Sequence, residues 1–207
     1  MTLADFEVQL REALPARNNA RPFVCDGSPL GADVLIVGIT RRRARHSGPT
    51  GTRQRAFDRK AWYRDYRESR GGKPSATRRM TDRLVCALWP LQVVEANVFA
   101  VPSRSIRELG AGDRGTDAFR FVVSSIRPRA IVVHGADAIE PAAEALQLRQ
   151  VIKDAVPRAI DVEWGSTILT AGPHLSRGWS YDRLDALGAR IRSEVVEVPA
   201  PAPGSEA

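Results

Sequence analysis

Three apolar runs in this chain stop abruptly at residues that can do chemistry. Val34–Val37 ends in Gly38-Ile39-Thr40-Arg41, a second run reaches Asn97 ahead of Phe99 and Ser103, and a third passes through Gly172-Pro173 to His174-Leu175-Ser176. A carboxamide offers both a donor and an acceptor, an imidazole donates or accepts near neutral pH, and a hydroxyl does both on a short arm. Each residue also has an ordinary reading: an asparagine at a strand end often closes a turn, and Ser176 can cap one locally. His134, on an apolar run before Gly135, reads as a satisfied core histidine, whereas His174 follows a Gly-Pro turn and reads as functional.

These residues need a scaffold, and the hydrophobic pattern supplies one. Residues 32–38, 92–100, 130–135 and 166–171 have the length and composition of buried strands, with 159–164 as a short strand or hairpin arm. Helices are expected at 2–14, where Thr2 is the N-cap and Leu3, Phe6, Val8, Leu10 and Leu14 are apolar, and at 56–69 with Trp62, Tyr63 and Tyr66 as packing aromatics. Further helices are expected at 75–88 with Ser75 as N-cap, 116–126, 136–147, around 149–155, and from Ser180 to about 193. Strands alternating with helices predict a three-layer α/β/α fold around a central, mostly parallel sheet of four or five strands. In such sheets ligands bind where the carboxyl ends of the strands converge. We expect a single domain over 1–198 and a disordered Pro/Ala tail at 199–207.

Charge points to the class of partner. The 207 residues carry a net +7, but the stretch from Arg41 to Arg83 holds 15 Lys+Arg against four acids, +11, which leaves 7 − 11 = −4 for the rest. A basic segment on a mildly acidic body is the footprint of a polyanion partner, although an arginine-rich solvated face would give the same count. No apolar run approaches the ~20 residues of a membrane span, and the acidic N-terminus does not read as a signal peptide. Two cysteines exclude a disulfide framework and a four-cysteine cluster, and three scattered histidines make no zinc site. No phosphate-loop or dinucleotide fingerprint occurs. A soluble, cytoplasmic, monomeric protein with no cofactor and no metal is expected.

Taken in order, these pieces resemble the uracil-DNA glycosylase superfamily over about residues 21–192. The resemblance rests on Arg21-Pro-Phe-Val24, the strand closing at Gly38, Asn97-Val-Phe, Val132-Val-His-Gly135 and the His174-Leu-Ser176 loop opening a helix. It implies a fold of that type and a hydrolase that flips a nucleotide out of DNA and cleaves its glycosidic bond. In that reading Asn97 grips the base edge, His174 donates a hydrogen bond to the departing base, and Thr40 stands where a water is oriented. Gly38, Ile39, Phe23, Phe99 and Asp26 belong to the base pocket, one phenylalanine stacking on the base. Arg41, Arg42, Arg43, Arg45, Ser103, Ser176 and Arg177 hold DNA phosphates.

One departure bears on the chemistry. The superfamily commonly places Asn or Asp, followed by proline, two residues after the strand-closing glycine; here Thr40 and Arg41 stand there. A threonine hydroxyl can hydrogen-bond water but is no general base near neutral pH. Asp26 and Asp58 are substitutes without a motif behind them. The altered motif suits a base other than uracil, including a hypermodified base of the kind carried by phage DNA. A DNA-binding protein that has lost catalysis is the alternative, and an N-glycosidase for free nucleosides is a third, disfavoured because a small substrate needs no +11 segment.

Overall fold

The computed structural model describes residues 1–15, 20, 22–39, 56–103 and 105–197. Residues 40–55, which carry part of the basic stretch, and the tail expected at 199–207 lie outside the described residues.

The strands are β1 (Phe23–Val24), β2 (Val34–Gly38), β3 (Val93–Asn97), β4 (Ala130–His134), β5 (Arg158–Val162) and β6 (Gly165–Gly172). They form one six-stranded sheet in the order β1-β3-β2-β4-β6-β5. The sheet is mixed rather than mostly parallel: β3, β2, β4 and β6 run parallel, while β1 and β5 pair antiparallel at the two edges. The expectation of four or five mostly parallel strands is corrected by these edges. The lead-in Phe23–Val24 pairs with Ala96 and Glu95 as a strand too short for a periodicity to reveal. The 159–164 arm is the partner of β6 in a tight hairpin, with Val162 opposite Gly165.

Six α-helices flank the sheet among the described residues: α1 (Leu3–Ala13), α2 (Arg59–Glu68), α3 (Ala76–Leu88), α4 (Asp117–Ile126), α5 (Ala136–Ala145) and α6 (Tyr181–Glu197). Strand alternation sorts them. Leu35, Val37, Val94, Ala96, Ile131 and Val133 point to one face and pack with α1, α4 and α5 through Phe6, Phe119, Val122 and Ile139. Val34, Ile36, Val93, Ala130, Val132 and Ile168 point to the other and pack with α3 and α6 through Leu84, Leu88, Leu184 and Ile191. On the second face α3 and α6 lie so close that a Cβ at Gly188 would sit 2.6 Å from the Cβ of Ala87 and 2.8 Å from its carbonyl.

Local chemistry fixes the helix ends. Thr2 and Asp5 form a reciprocal capping box on α1, and Asp58 and Ser75 accept from the amides of Ala61 and Arg78 at 2.8 and 3.1 Å. Of the apolar set assigned to α1, Phe6 and Leu10 are buried, while Leu3 and Val8 are exposed. The helix expected around 149–155 does not form. There the Asp154 carboxylate accepts the amide of Val156 at 3.0 Å and binds Arg158, Ala155 takes φ 61° with its amide on the carbonyl of Ala171, and Pro157 follows. Side-chain bonding of this kind offers the backbone an alternative to the helical ladder.

A buried charge cluster ties α2 and α3 to the sheet. Glu95, 2 % exposed on β3, accepts from both terminal nitrogens of Arg78 at 2.6 and 2.8 Å, and Arg59 approaches it at 2.9 Å. Asp82 completes the set with Arg78 and Arg59. Burial alone would pull the Arg78 guanidinium down, but Glu95 and then Asp82 more than offset it, so its pKa stands above the ordinary arginine value. The same guanidinium lies 5.3 Å over the ring of Trp62. Removing one member leaves an uncompensated buried charge, so Glu95→Ala is expected to lower stability by about 3–5 kcal/mol. Chemical denaturation measures this; a loss below ~1 kcal/mol would show that the cluster is replaceable by water.

Candidate functional site

The direction of the crossovers creates a crevice. After β2 the chain passes to α2 and α3, and α3 packs on one face; after β4 it enters α5, which packs on the other. Adjacent parallel strands whose connections leave toward opposite faces part at their carboxyl ends, which is where open α/β sheets bind ligands. Here that point lies between Gly38 and His134.

The register fills the crevice. Gly38 pairs with Asn97 on one side, and Val37 pairs with Val133 on the other, so Asn97, Gly38 and His134 stand in a row across three strand ends. A Cβ on Gly38 would lie 3.2 Å from Cε1 of His134, 3.3 Å from its Nε2 and 3.9 Å from Oδ1 of Asn97. Both polar side chains therefore reach over a position without a side chain of its own. Hydrogen bonding continues past the strands, with Val98 and Phe99 donating to the carbonyls of Gly38 and Ile39 at 2.9 and 3.0 Å, so this edge is held rigidly.

His174 arrives from the loop after β6. Leu175 is fully buried against α3 and α6, and anchoring it turns the neighbouring His174 and Ser176 away from that core. Arg177 donates its amide to the carbonyl of His174 at 2.7 Å, and the Trp179 indole donates to Pro173 at 3.0 Å. The His174 ring meets the His134 ring edge-on, 5.1 Å between centroids at 76°. Gly135, at φ 95°, allows this approach: a Cβ there would lie 3.3 Å from Cδ2 of His174.

The His174 ring has a defined tautomer. Its Nδ1 accepts the Ser176 backbone N–H at 3.3 Å and lies 2.8 Å from the Ser176 hydroxyl. A backbone N–H only donates, so the proton of the neutral ring resides on Nε2. Burial, then the nearby Arg177 charge, lowers the pKa of His174, with Asp137 on the first turn of α5 opposing them. The ring is thus a neutral Nε2–H donor near neutral pH, suited to stabilising negative charge that builds on a bound group.

The structure brings Gly38, Asn97, His174 and Ser176 together and adds His134, which the sequence reading placed in the core. Other expected site residues stand elsewhere. Phe23 is fully buried, 5.8 Å from the Phe6 ring and 5.4 Å from the Phe57 ring, and Phe99 is buried in the same core. The half-buried Ile39 also packs there. Asp26 is exposed and forms a backbone bridge with Asp58, whose carboxylate caps α2. Ser103 donates to the carbonyl of Ser105 at 2.7 Å in a local turn, and Arg177 is exposed. Thr40, Arg41, Arg42, Arg43 and Arg45 lie outside the described residues.

No group of three or more His, Cys, Asp or Glu among the described residues is arranged to hold a metal, and no described helix is long and apolar enough to cross a membrane. A separate cavity of about 370 Å³ opens near the β5–β6 turn, lined by Arg120, Phe121, Leu146, Asp161 and Trp164; none of the strand-end residues lines it. In comparisons with known proteins, no family model and no curated protein matches this chain.

The electrostatics of His174 are testable. Its ring should titrate by NMR with a midpoint below the ordinary 6.5. Arg177→Gln should raise the midpoint and Asp137→Asn should lower it. Because the folded value is the lower one, stability is full above about 6.5 and is lost as pH falls through the folded pKa. A midpoint at or above 6.5 would contradict the buried, Arg177-facing placement.

Proposed function

We propose that the protein is a DNA glycosylase, resembling the uracil-DNA glycosylases in fold, that hydrolyses the N-glycosidic bond of a flipped-out deaminated or modified base. The observation that carries the reading is the row Asn97–Gly38–His134 at the switch point of the sheet, with the neutral His174 Nε2–H donor beside it.

Such a row suits a flat heterocycle. Gly38 lets the His134 and Asn97 side chains close over it, the Asn97 carboxamide matches a donor–acceptor base edge, and the two imidazoles bound the position where the base rests. When the C1′–N bond breaks, both bonding electrons leave with the base, and negative charge grows on its ring. His174 donates to that charge as it develops, an interaction stronger in the transition state than in the ground state. Water adds its oxygen to C1′ and loses a proton to solvent, while the base anion gains one. The six arginines among residues 41–55, with no acid between them, supply positive charge next in sequence to Ile39 for the DNA backbone.

Thr40 supports a second reading, a binding protein with weak or no catalysis, because this position carries no carboxylate or carboxamide. One assay separates the two. Duplexes carrying deaminated and modified bases are incubated with the protein and then heated in alkali, which breaks strands at abasic sites. The enzyme produces breaks on at least one substrate, and His174→Ala reduces their rate by about 10²–10³-fold, the loss typical of a donor acting on developing charge. Binding without breaks on every duplex would favour the second reading.

A further inference from the structure

The corner formed by α2 and α3 carries positive charge that the packing does not use. Eight basic residues lie between 59 and 79 against two acids, Asp65 and Glu68. Two of the eight, Arg59 and Arg78, are spent inside the molecule on Glu95 and Asp82. The other six, Lys60, Arg64, Arg67, Arg70, Lys73 and Arg79, are exposed, and none of them pairs with a carboxylate among the described residues. Arg67 and Arg79 donate to the backbone carbonyls of Gly72 and Pro74, which orients them without neutralising them.

Their placement is ordered by the helix. Residues 60, 64 and 67 follow the i, i+4, i+7 spacing of one helix face, the face opposite the buried Trp62 and the packed Tyr66. That stripe is about 10.5 Å long at 1.5 Å per residue, the axial rise of roughly three base pairs. The platform beneath it is rigid. Trp62 and Tyr66 stack at 5.3 Å, and the Tyr66 hydroxyl bonds Ser75 through its hydroxyl and its amide at 2.8 and 3.0 Å, linking α2 to the N-cap of α3.

For an isolated helix this is a poor arrangement. Like charges three and four residues apart repel, and Lys60 puts a cation in the first turn, where the helix dipole favours an anion. A polyanion reverses both effects. Among the described residues the exposed large hydrophobic side chains are Met1, Leu3, Val8, Trp89, Ile152, Tyr181 and Val196, none of them between residues 59 and 79, so this stretch offers a lipid surface no apolar anchor.

We propose that the basic face of α2, continued by Arg70, Lys73 and Arg79, is a docking surface for the phosphate backbone of nucleic acid, distinct from the strand ends that would hold the base. It rests on the glycosylase reading only for the kind of partner and needs no base chemistry. Arg59 on Glu95 joins the start of α2 to the strand that ends in Asn97, so the phosphates held here flank that strand end.

The test is fluorescence anisotropy with a short unmodified duplex across a salt series. The triple variant Lys60→Gln, Arg64→Gln, Arg67→Gln should bind about tenfold more weakly, and its log–log salt slope should fall by about 2–3, near 0.9 for each lost phosphate contact. Arg11→Gln, Arg120→Gln, Arg149→Gln removes the same charge from exposed positions away from this corner and should shift the slope by less than about 1. Arg64→Gln alone, a milder change should the triple variant fold poorly, should lower the slope by about 1. Equal losses in both triple variants, an unchanged slope, or binding to phosphatidylserine vesicles in place of DNA would overturn the proposal. The alkali assay reads base release separately: a slope change without abasic sites fails the glycosylase reading alone, and abasic sites without a slope change fail this surface alone.

Discussion

Three strand ends can meet at one point because residue 38 carries no side chain. Any Cβ there would press on the His134 ring at 3.2 Å and approach the Asn97 carboxamide, and that row is what gives the switch point of the sheet its chemical character. Gly135 performs the same service one strand over, admitting His174 against His134. Gly38 contributes little through flexibility, whereas Gly135 also adopts a φ of 95° that residues with a side chain rarely take. Both matter through the volume they leave empty, which neighbouring strands fill with two imidazoles and a carboxamide.

The arginines divide between two kinds of work. Arg59 and Arg78 are consumed in holding Glu95, a carboxylate buried two residues before Asn97 on the same strand face, so part of the basic segment is structural. The buried cluster is held by four hydrogen-bonded charges of equal and opposite number, the condition under which such a group is tolerated in a core. Of the other basic residues on α2 and α3, Arg83 pairs with Asp185 of α6, while the exposed Lys60, Arg64, Arg67 and Arg79 pair with no carboxylate among the described residues. A single count of +11 along the sequence hides this division, which only the fold reveals.

Much of the scaffold was legible in the sequence, because parallel strands buried on both faces read as continuous apolar runs and proline and capping residues bounded the helices. The same continuity concealed which side chain faces which layer. Within Ala130–His134 every residue is buried, so nothing in the pattern says that His134 turns toward Gly38 while Val133 turns away. The surroundings of Phe23 are equally hidden from the pattern, because its strand is two residues long and pairing opposite Ala96 sets its ring among Phe6 and Phe57. The antiparallel edges and the loss of the 149–155 helix depend on strand partners and on the Asp154 carboxylate, interactions too local or too distant for hydrophobic period to register.

The most direct measurement of the central claim is mass spectrometry of the small-molecule fraction after the protein has acted on DNA carrying deaminated and modified bases. The row of Asn97, Gly38, His134 and His174 predicts an intact free base whose appearance depends on both the Asn97 carboxamide and the His174 ring. DNA that is bound but yields no free base from any substrate would contradict it.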